Sequence, residues 1–274
     1  MKIVLIGAGS GSFGSRMIAD VLTCRELVGR GVELALVDED AAALTRAGAF
    51  AEKVRRHCRS DVAVSRATDR REALPGARYV IVAVARRRWE LWEQDFRVPL
   101  AHGYRHCMGE NGGPGALFHA LRSIDLVLPI CRDVEALAPD ALLLNFTNPE
   151  ARVLHAIGRL TGVRAIGLCH GVFSAVEALA RYLRRPAERL EVISAGINHF
   201  YCVLKVTDRD TGEDLLPRAV AAAAGDGSPA CPPLFRRIAQ VFGVFTFPSD
   251  DHIGEYLAWA HEFTGLKWPF GRES

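Results

Sequence analysis

Two short segments in the second half of the chain carry the residue types that a divalent-metal site uses. They are Gly167-Leu168-Cys169-His170-Gly171 and Gly196-Ile197-Asn198-His199-Phe200. A thiolate and a neutral imidazole are donors for a borderline divalent ion. Two protein ligands leave positions open for substrate oxygens, as Lewis-acid chemistry requires. Taken singly, Cys169 reads equally well as a buried core thiol, and His199 as an ordinary hydrogen-bonded histidine. The pair gains weight from its setting, because both residues follow a stretch that reads as a dinucleotide fold, with Asn148 and His170 in the same neighbourhood.

That stretch opens with Lys2–Ile6, a short apolar run without polar alternation, the pattern of a parallel strand buried on both faces. Gly7-Ala8-Gly9-Ser10-Gly11-Ser12-Phe13-Gly14 follows and leads into a helical pattern carrying Met17, Ile18, Val21 and Leu22. Gly7 permits a tight turn, Gly9 lets the backbone approach a pyrophosphate, and the helix start supplies N–H groups and partial positive charge. Ser12 stands where G-x-G-x-x-G has its third glycine, so the motif rests on its context. Asp38, closing the second strand, suits both ribose hydroxyls and repels a 2′-phosphate, which favours NAD over NADP. The alternative is a glycine-rich turn without ligand. Asn148-Pro149 falls at the carboxyl end of another strand, where open α/β sheets bind ligands. The proline either fixes an unusual peptide geometry that aims Asn148 or simply starts a helix.

The elements that must hold these residues alternate. Strands are expected at 2–6, 32–37, 61–65, 79–85, 141–145 and 165–168. Helices are expected at 41–57, 90–102, 116–137 and from 151, which makes a doubly wound parallel sheet. The expected fold class is α/β: an NAD-binding Rossmann domain over 1–168, then an incomplete α+β substrate- and metal-binding domain over 169–274. In the latter, 190–197 and 201–206 read as strands and 221–233 as a mobile loop. The chain is 274 residues long, 49% hydrophobic and 24% charged, with a formal net charge of +2. That balance gives no electrostatic reason to expect nucleic acid or an anionic membrane as a partner. The seven cysteines (Cys24, Cys58, Cys107, Cys131, Cys169, Cys202 and Cys231) form neither a disulfide framework nor a C-x-x-C pair. No signal peptide is legible and no apolar run is read as a membrane span, so a cytoplasmic, reduced setting is expected.

The same residues resemble glycoside hydrolase family 4, the NAD- and metal-dependent α-galactosidases, α-glucosidases, α-galacturonidases and 6-phospho-glycosidases. The matching stretches are Ile6-Gly7-Ala8-Gly9-Ser10 with Phe13, Gly113-Pro114-Gly115 leading to Ala120-Leu121-Arg122, Thr147-Asn148-Pro149, and the Cys169 and His199 segments. Ser249-Asp250-Asp251-His252 with Glu255-Tyr256-Leu257 completes the series. They follow family order across nearly the whole chain and are specific jointly, not singly. The resemblance implies that Cys169 and His199 bind manganese or another divalent metal, and that Gly7, Gly9, Ser10, Phe13 and Asp38 bind NAD. It implies that Asn148, Glu110 and Asn111 contact a small carbohydrate. Asp250, with Asp251 as the alternative register, is the expected base and His170 the acid. His170 also stands where phospho-specific members carry Asp, which points to a non-phosphorylated α-galactoside or α-uronide. Arg86, Arg87 and Arg88 could hold a carboxylate or a phosphate and speak against a neutral sugar, whereas a uronide reconciles them with His170. Family members are usually longer, so a carboxyl-terminally truncated member is expected, forming a homo-oligomer where the second domain is complete.

The chemistry so implied is a transient oxidation. Hydride leaves C3 for NAD⁺, the C2 proton is removed with metal assistance, the C1–O bond is eliminated, water adds, and the steps reverse. Two rivals are an NAD-dependent 2-hydroxy-acid dehydrogenase and an inactive NAD-binding relative. The first lacks its usual Gly-x-His-Gly histidine and substrate arginine, although Cys169-His170-Gly171 is a partial echo.

Overall fold

The computed structural model describes residues 1–268. The chain divides into two compact units: Met1–Arg87 with Ala120–Leu168, and Arg88–His119 with the chain from Cys169 on. Residues 88–119 thus group with the second unit, although they were expected within a domain spanning 1–168.

The first unit is a six-stranded parallel sheet. Its strands are β1 (Lys2–Ile6), β2 (Glu33–Val37), β3 (Ala63–Ala67), β4 (Ala77–Val82), β5 (Leu142–Asn145) and β6 (Ala165–Gly167), in spatial order β3-β2-β1-β4-β5-β6. This is the doubly wound order, with its reversal between β1 and β4. β1 is central, and Val4 pairs with Ala35 on one side and Val80 on the other. Helices cover both faces: α1 (Gly14–Thr23), α2 (Ala41–Cys58), α3 (Arg70–Ala73), part of α5 (Gly113–Leu137), and α6 (Glu150–Leu160). Alternate residues of each strand serve opposite cores. Val4, Ile6, Val80 and Val82 pack with Val127, Ile130, Val134 and Val153. Ile3, Leu5, Leu34 and Leu36 pack with Met17, Ile18, Leu22 and Leu44. Burial on both faces is why these strands read as unbroken apolar runs.

The second unit contains α4 (Arg88–Ala101), the start of α5, α7 (Gly171–Leu183), α8 (Leu216–Gly225), α9 (Pro233–Phe242), α10 (Asp250–Gly254) and α11 (His261–Thr264). An antiparallel sheet joins β7 (Leu190–Ile197), β8 (Phe200–Asp208) and β9 (Phe245–Thr246) in that order. Leu179, Leu183, Val203, Val206, Leu234, Phe235, Phe245 and Ile253 form its hydrophobic core.

Three expectations change. The segment 221–233 is not a loop throughout: its first residues finish α8, whose Ala219 and Ala223 are fully buried, and Cys231 is buried ahead of α9. β3 lies two residues later than read, and β4 stops at Val82, short of Ala85. Helix α5 is long and apolar enough by length and composition to cross a membrane, contrary to the sequence reading. Its Val127, Ile130, Cys131 and Val134 are nonetheless buried in the core over the parallel sheet.

Candidate functional site

In the first unit the loop between β1 and α1 has the contacts of a nucleotide cradle. Gly7 has φ +88°, and a Cβ there would meet the Ala83 carbonyl oxygen at 2.3 Å. A Cβ on Gly9 would come within 2.5 Å of Ala43 Cβ and 2.9 Å of Asp38 Oδ2. The Gly9 N–H donates to Asp38 Oδ2 at 2.8 Å, and that of Asp40 donates to Asp38 Oδ1 at 3.0 Å. Asp38 is therefore oriented by two backbone donors, while Gly9 spends its own N–H inside the protein. The close packing of helix on loop falls to Gly14, where a Cβ would lie 2.1 Å from the Ala8 carbonyl oxygen. The missing third glycine is thus found two residues beyond Ser12. Ser10 Oγ accepts from Phe13 N at 3.3 Å. Among the described residues, the backbone N–H groups of Gly11 and Ser12 are left without a partner, so this loop offers those two donors to an anion.

At the carboxyl end of β5 the Asn148–Pro149 peptide is cis. Ser123 Oγ donates to the Asn148 carbonyl oxygen at 2.6 Å, and Val84 N donates to Thr147 Oγ1 at 3.1 Å. The proline that the sequence left open between unusual geometry and helix start does both, since α6 begins at Glu150.

The second unit gathers Cys169, His199, Glu110 and Asn111. The two-residue hairpin tip Asn198-His199 joins β7 to β8, with His199 at φ 67°. Its Nε2 is 3.5 Å from Cys169 Sγ. Two ligands at about 2.1 and 2.3 Å from one ion stand roughly 3–3.6 Å apart, so the pair fits a shared metal. Burial, and then the charge of nearby His252, pull the His199 pKa down to about 3, which keeps the ring in its neutral, ligating form. Phe247 stacks on the ring, with centroids 5.7 Å apart. Tyr201 Oη donates to the Gly171 carbonyl oxygen at 2.7 Å and ties down the turn that carries Cys169 and His170. His170 itself is exposed, at the residue preceding α7.

Glu110, His199 and Glu255 are all buried, with ligand-type atoms within 4.8 Å of one another, and so form a second possible donor set. The hydrogen bonds discriminate. Glu255 Oε1 accepts from Glu110 N at 2.5 Å and Asn111 N at 2.7 Å, and its Oε2 accepts from Asn111 Nδ2 at 3.1 Å. Glu110 Oε1 accepts from Arg88 Nη2 at 2.9 Å, and its Oε2 accepts from Asn111 Nδ2 at 3.3 Å. Every oxygen of Glu110 and Glu255 already has a donor, while Cys169 Sγ and His199 Nε2 lie side by side. Asn111 Nδ2 lies 3.2 Å from His199 Nδ1.

Asp250 is placed differently from the expectation of a base. Its Oδ2 accepts from Leu234 N and its Oδ1 from Phe235 N, both at 2.9 Å. It caps the start of α9, both oxygens engaged. Its neighbour is the acid that reaches the cluster: Asp251 Oδ1 is 2.7 Å from His252 Nδ1, and the His252 ring lies 4.3 Å from that of His199. Burial alone would lower the His252 pKa, but the Asp251 hydrogen bond and charge raise it above the usual histidine value. Sequence reasoning gave no role to Glu255, His252 or Tyr256, although all three lie in a stretch that it matched to the family. Tyr256 Oη donates to the Asn198 carbonyl oxygen at 3.0 Å and steadies the hairpin tip.

With this geometry in view, the comparisons with known proteins are decisive on ancestry. The sequence profile described as Family 4 glycosyl hydrolase matches residues 2–185. The chain belongs to that family. It is 32% identical to an alpha-glucosidase of Erwinia rhapontici over 95% of this chain and 66% of the relative. It is 33% identical to an alpha-galactosidase of Rhizobium meliloti over 94% of this chain and 52% of the relative. The chain thus spans between about half and two thirds of the length of these family 4 relatives. A crystal structure of a 6-phospho-alpha-glucosidase from gut microorganisms, in complex with NAD and Mn2+, superposes with a TM-score of 0.84 at 21% identity. That match covers 99% of this chain and 64% of the other, and it establishes the shared fold.

Proposed function

We propose that this family 4 chain carries NAD- and divalent-metal-dependent glycosidase chemistry directed at a non-phosphorylated α-galactoside or α-uronide. The observation that carries the reading is the Cys169–His199 pair, whose Sγ and Nε2 lie 3.5 Å apart, beside Glu110 and Glu255 whose oxygens all accept hydrogen bonds. The family match sets aside the hydroxy-acid dehydrogenase. Supporting the substrate class, Arg88 is spent on Glu110, and Arg86 faces Asp125 at 4.0 Å. The phosphosugar thereby loses support from Arg88, while the uronide stays beside the neutral sugar. The names of the α-glucosidase, α-galactosidase and α-galacturonidase relatives support a non-phosphorylated sugar, neutral or uronate.

When bound, NAD⁺ supplies a hydride acceptor and the divalent ion a Lewis acid for sugar oxygens. The chain's own residues do the rest. Gly11 and Ser12 N–H groups hold the pyrophosphate at the start of α1, and Asp38 accepts from the ribose hydroxyls. Cys169 and His199 hold the ion. Asn148 and Glu110 orient sugar hydroxyls. His252, with its Nδ1 fixed by Asp251, takes the C2 proton in place of Asp250, and His170 delivers a proton to the leaving oxygen.

The test is hydrolysis of p-nitrophenyl α-galactoside and α-glucoside, their uronate counterparts and their 6-phosphates, with NAD⁺ and Mn²⁺ added or withheld. Turnover of the non-phosphorylated sugars is expected only with both cofactors present and without accumulating NADH. Undiminished activity after NAD removal and chelation would overturn the mechanism, and turnover of the 6-phosphates alone would overturn the substrate class. A C169S variant should lose Mn²⁺ affinity while keeping NAD affinity, because thiolate is the softer ligand.

A further inference from the structure

The carboxyl-terminal turns of α7 and α8 border a cavity of about 440 Å³, a volume usual for a small-molecule site. Arg181, Tyr182 and Arg184 line it from the end of α7, and Ala222 from α8, with Asp226 and Ala230 beyond. Among the described residues neither arginine has a carboxylate partner, and the Arg181 guanidinium lies over the Tyr182 ring, 5.5 Å from its centroid. Their neighbours differ, because Arg185 and Arg189 are both spent on Asp208. The oxygens of Asp226 are taken: Oδ2 accepts from Tyr182 Oη at 2.8 Å and Oδ1 from Ser228 N at 2.9 Å. Two arginines thus line the cavity against one carboxylate whose hydrogen bonds are already made.

We propose that this cavity is a second ligand site, built from none of the dinucleotide- or metal-binding residues, that takes a small phosphate monoester such as a hexose phosphate. The two guanidinium groups offer paired donors in the geometry that phosphate oxygens accept. A bare phosphate would leave most of the cavity empty, and the small side chains of Ala222 and Ala230 leave that space to an organic moiety. Cations at the carboxyl end of a helix also complement its dipole. That role needs no ligand, and it stabilises the chain equally with and without one, so the two readings separate by experiment.

The experiment is calorimetry on the full chain without NAD or metal, with glucose 6-phosphate, inorganic phosphate and glucose as probes. Glucose 6-phosphate is expected to bind and glucose to give no signal. R181Q/R184Q should lose glucose 6-phosphate affinity by at least about tenfold, as the loss of charge-assisted hydrogen bonds implies, while C169S and N148A keep it. A222F, which fills the cavity, should weaken glucose 6-phosphate more than inorganic phosphate. A wild-type protein that ignores glucose 6-phosphate overturns the proposal. So does an R181Q/R184Q protein that binds it as wild type does, whether or not its ligand-free melting temperature falls, since the arginines would then serve only the helix end. Binding lost in N148A but kept in R181Q/R184Q would place the phosphate at the sugar site and overturn it as well. Should R181Q/R184Q fail to fold, A222F decides alone, and equal affinity for glucose 6-phosphate in A222F and wild type overturns the proposal.

Discussion

At the scale of single residues, Glu255 shows how a buried acid can serve a site without ligating anything. Burial, and after it the charge of Glu110, push its pKa up to about 8, against the pull of the hydrogen bonds from Asn111 and from Glu110 N. Its folded value thus lies above the unfolded one near 4.5. Protonated in both states, it costs nothing below pH 4.5. As pH rises toward 8 the unfolded chain ionises first, so stability falls across that window. E255Q keeps a carbonyl oxygen for the two backbone donors and removes the titration. Its melting temperature in chelator should therefore gain on wild type by at least about 2–4 °C between pH 5 and pH 8, the shift that 1 kcal/mol gives in a domain of this size. Parallel curves for the two proteins would show that Glu255 does not titrate there. Cys169, His199 and Asn148 were legible because each sits at a strand end or turn whose neighbours announce it. Glu255 was not, because it bonds Glu110 across 145 positions and no local pattern encodes such a meeting. Arg88 was visible only as one of three adjacent arginines, and its partner decided its role.

At the scale of elements, the parallel sheet was readable for a physical reason. β1 and β2 are buried on both faces and give continuous apolar runs. The second unit was harder. α8 is alanine-rich and α9 starts Pro232-Pro233, so the segment read as a loop, although Leu234, Phe235, Ile238 and Ala239 bury one face of α9. Neither proline's side chain can cap α9, and Asp250, at the start of α10, does so from a distance by accepting from Leu234 and Phe235. Removing such a cap costs about 0.5–2 kcal/mol. D250A is accordingly expected to lower the melting temperature by several degrees while leaving Mn²⁺ and NAD affinities unchanged. A D250A protein with wild-type stability and no turnover would restore this aspartate to the chemistry.

At the scale of the whole molecule, each compact unit has its own core and carries one half of the proposed chemistry, so the two cofactor affinities should fail separately. G9A, whose new Cβ would press on Ala43 and Asp38, should lose NAD and keep Mn²⁺, the mirror image of C169S. Both variants should be inactive, because hydride removal and proton removal are consecutive steps on one sugar. The isotope bookkeeping of those steps gives the sharpest test. Under the proposed mechanism a hydride taken from C3 would return to C3, so no reduced cofactor would accumulate and no solvent hydrogen would enter there. The C2 proton, by contrast, would pass to the proposed base His252, which is partly exposed. Hydrolysis in D₂O should therefore leave deuterium at C2 of the product and none at C3, read by mass spectrometry and proton NMR. H252A should slow hydrolysis and C2 exchange together, at about 10²–10⁴-fold for a general base. Exchange at C2 that survives H252A at full rate would move the proton to another group. Product with its original hydrogen at C2 in every molecule, together with activity that ignores NAD, would mean that the bond is cleaved by direct hydrolysis.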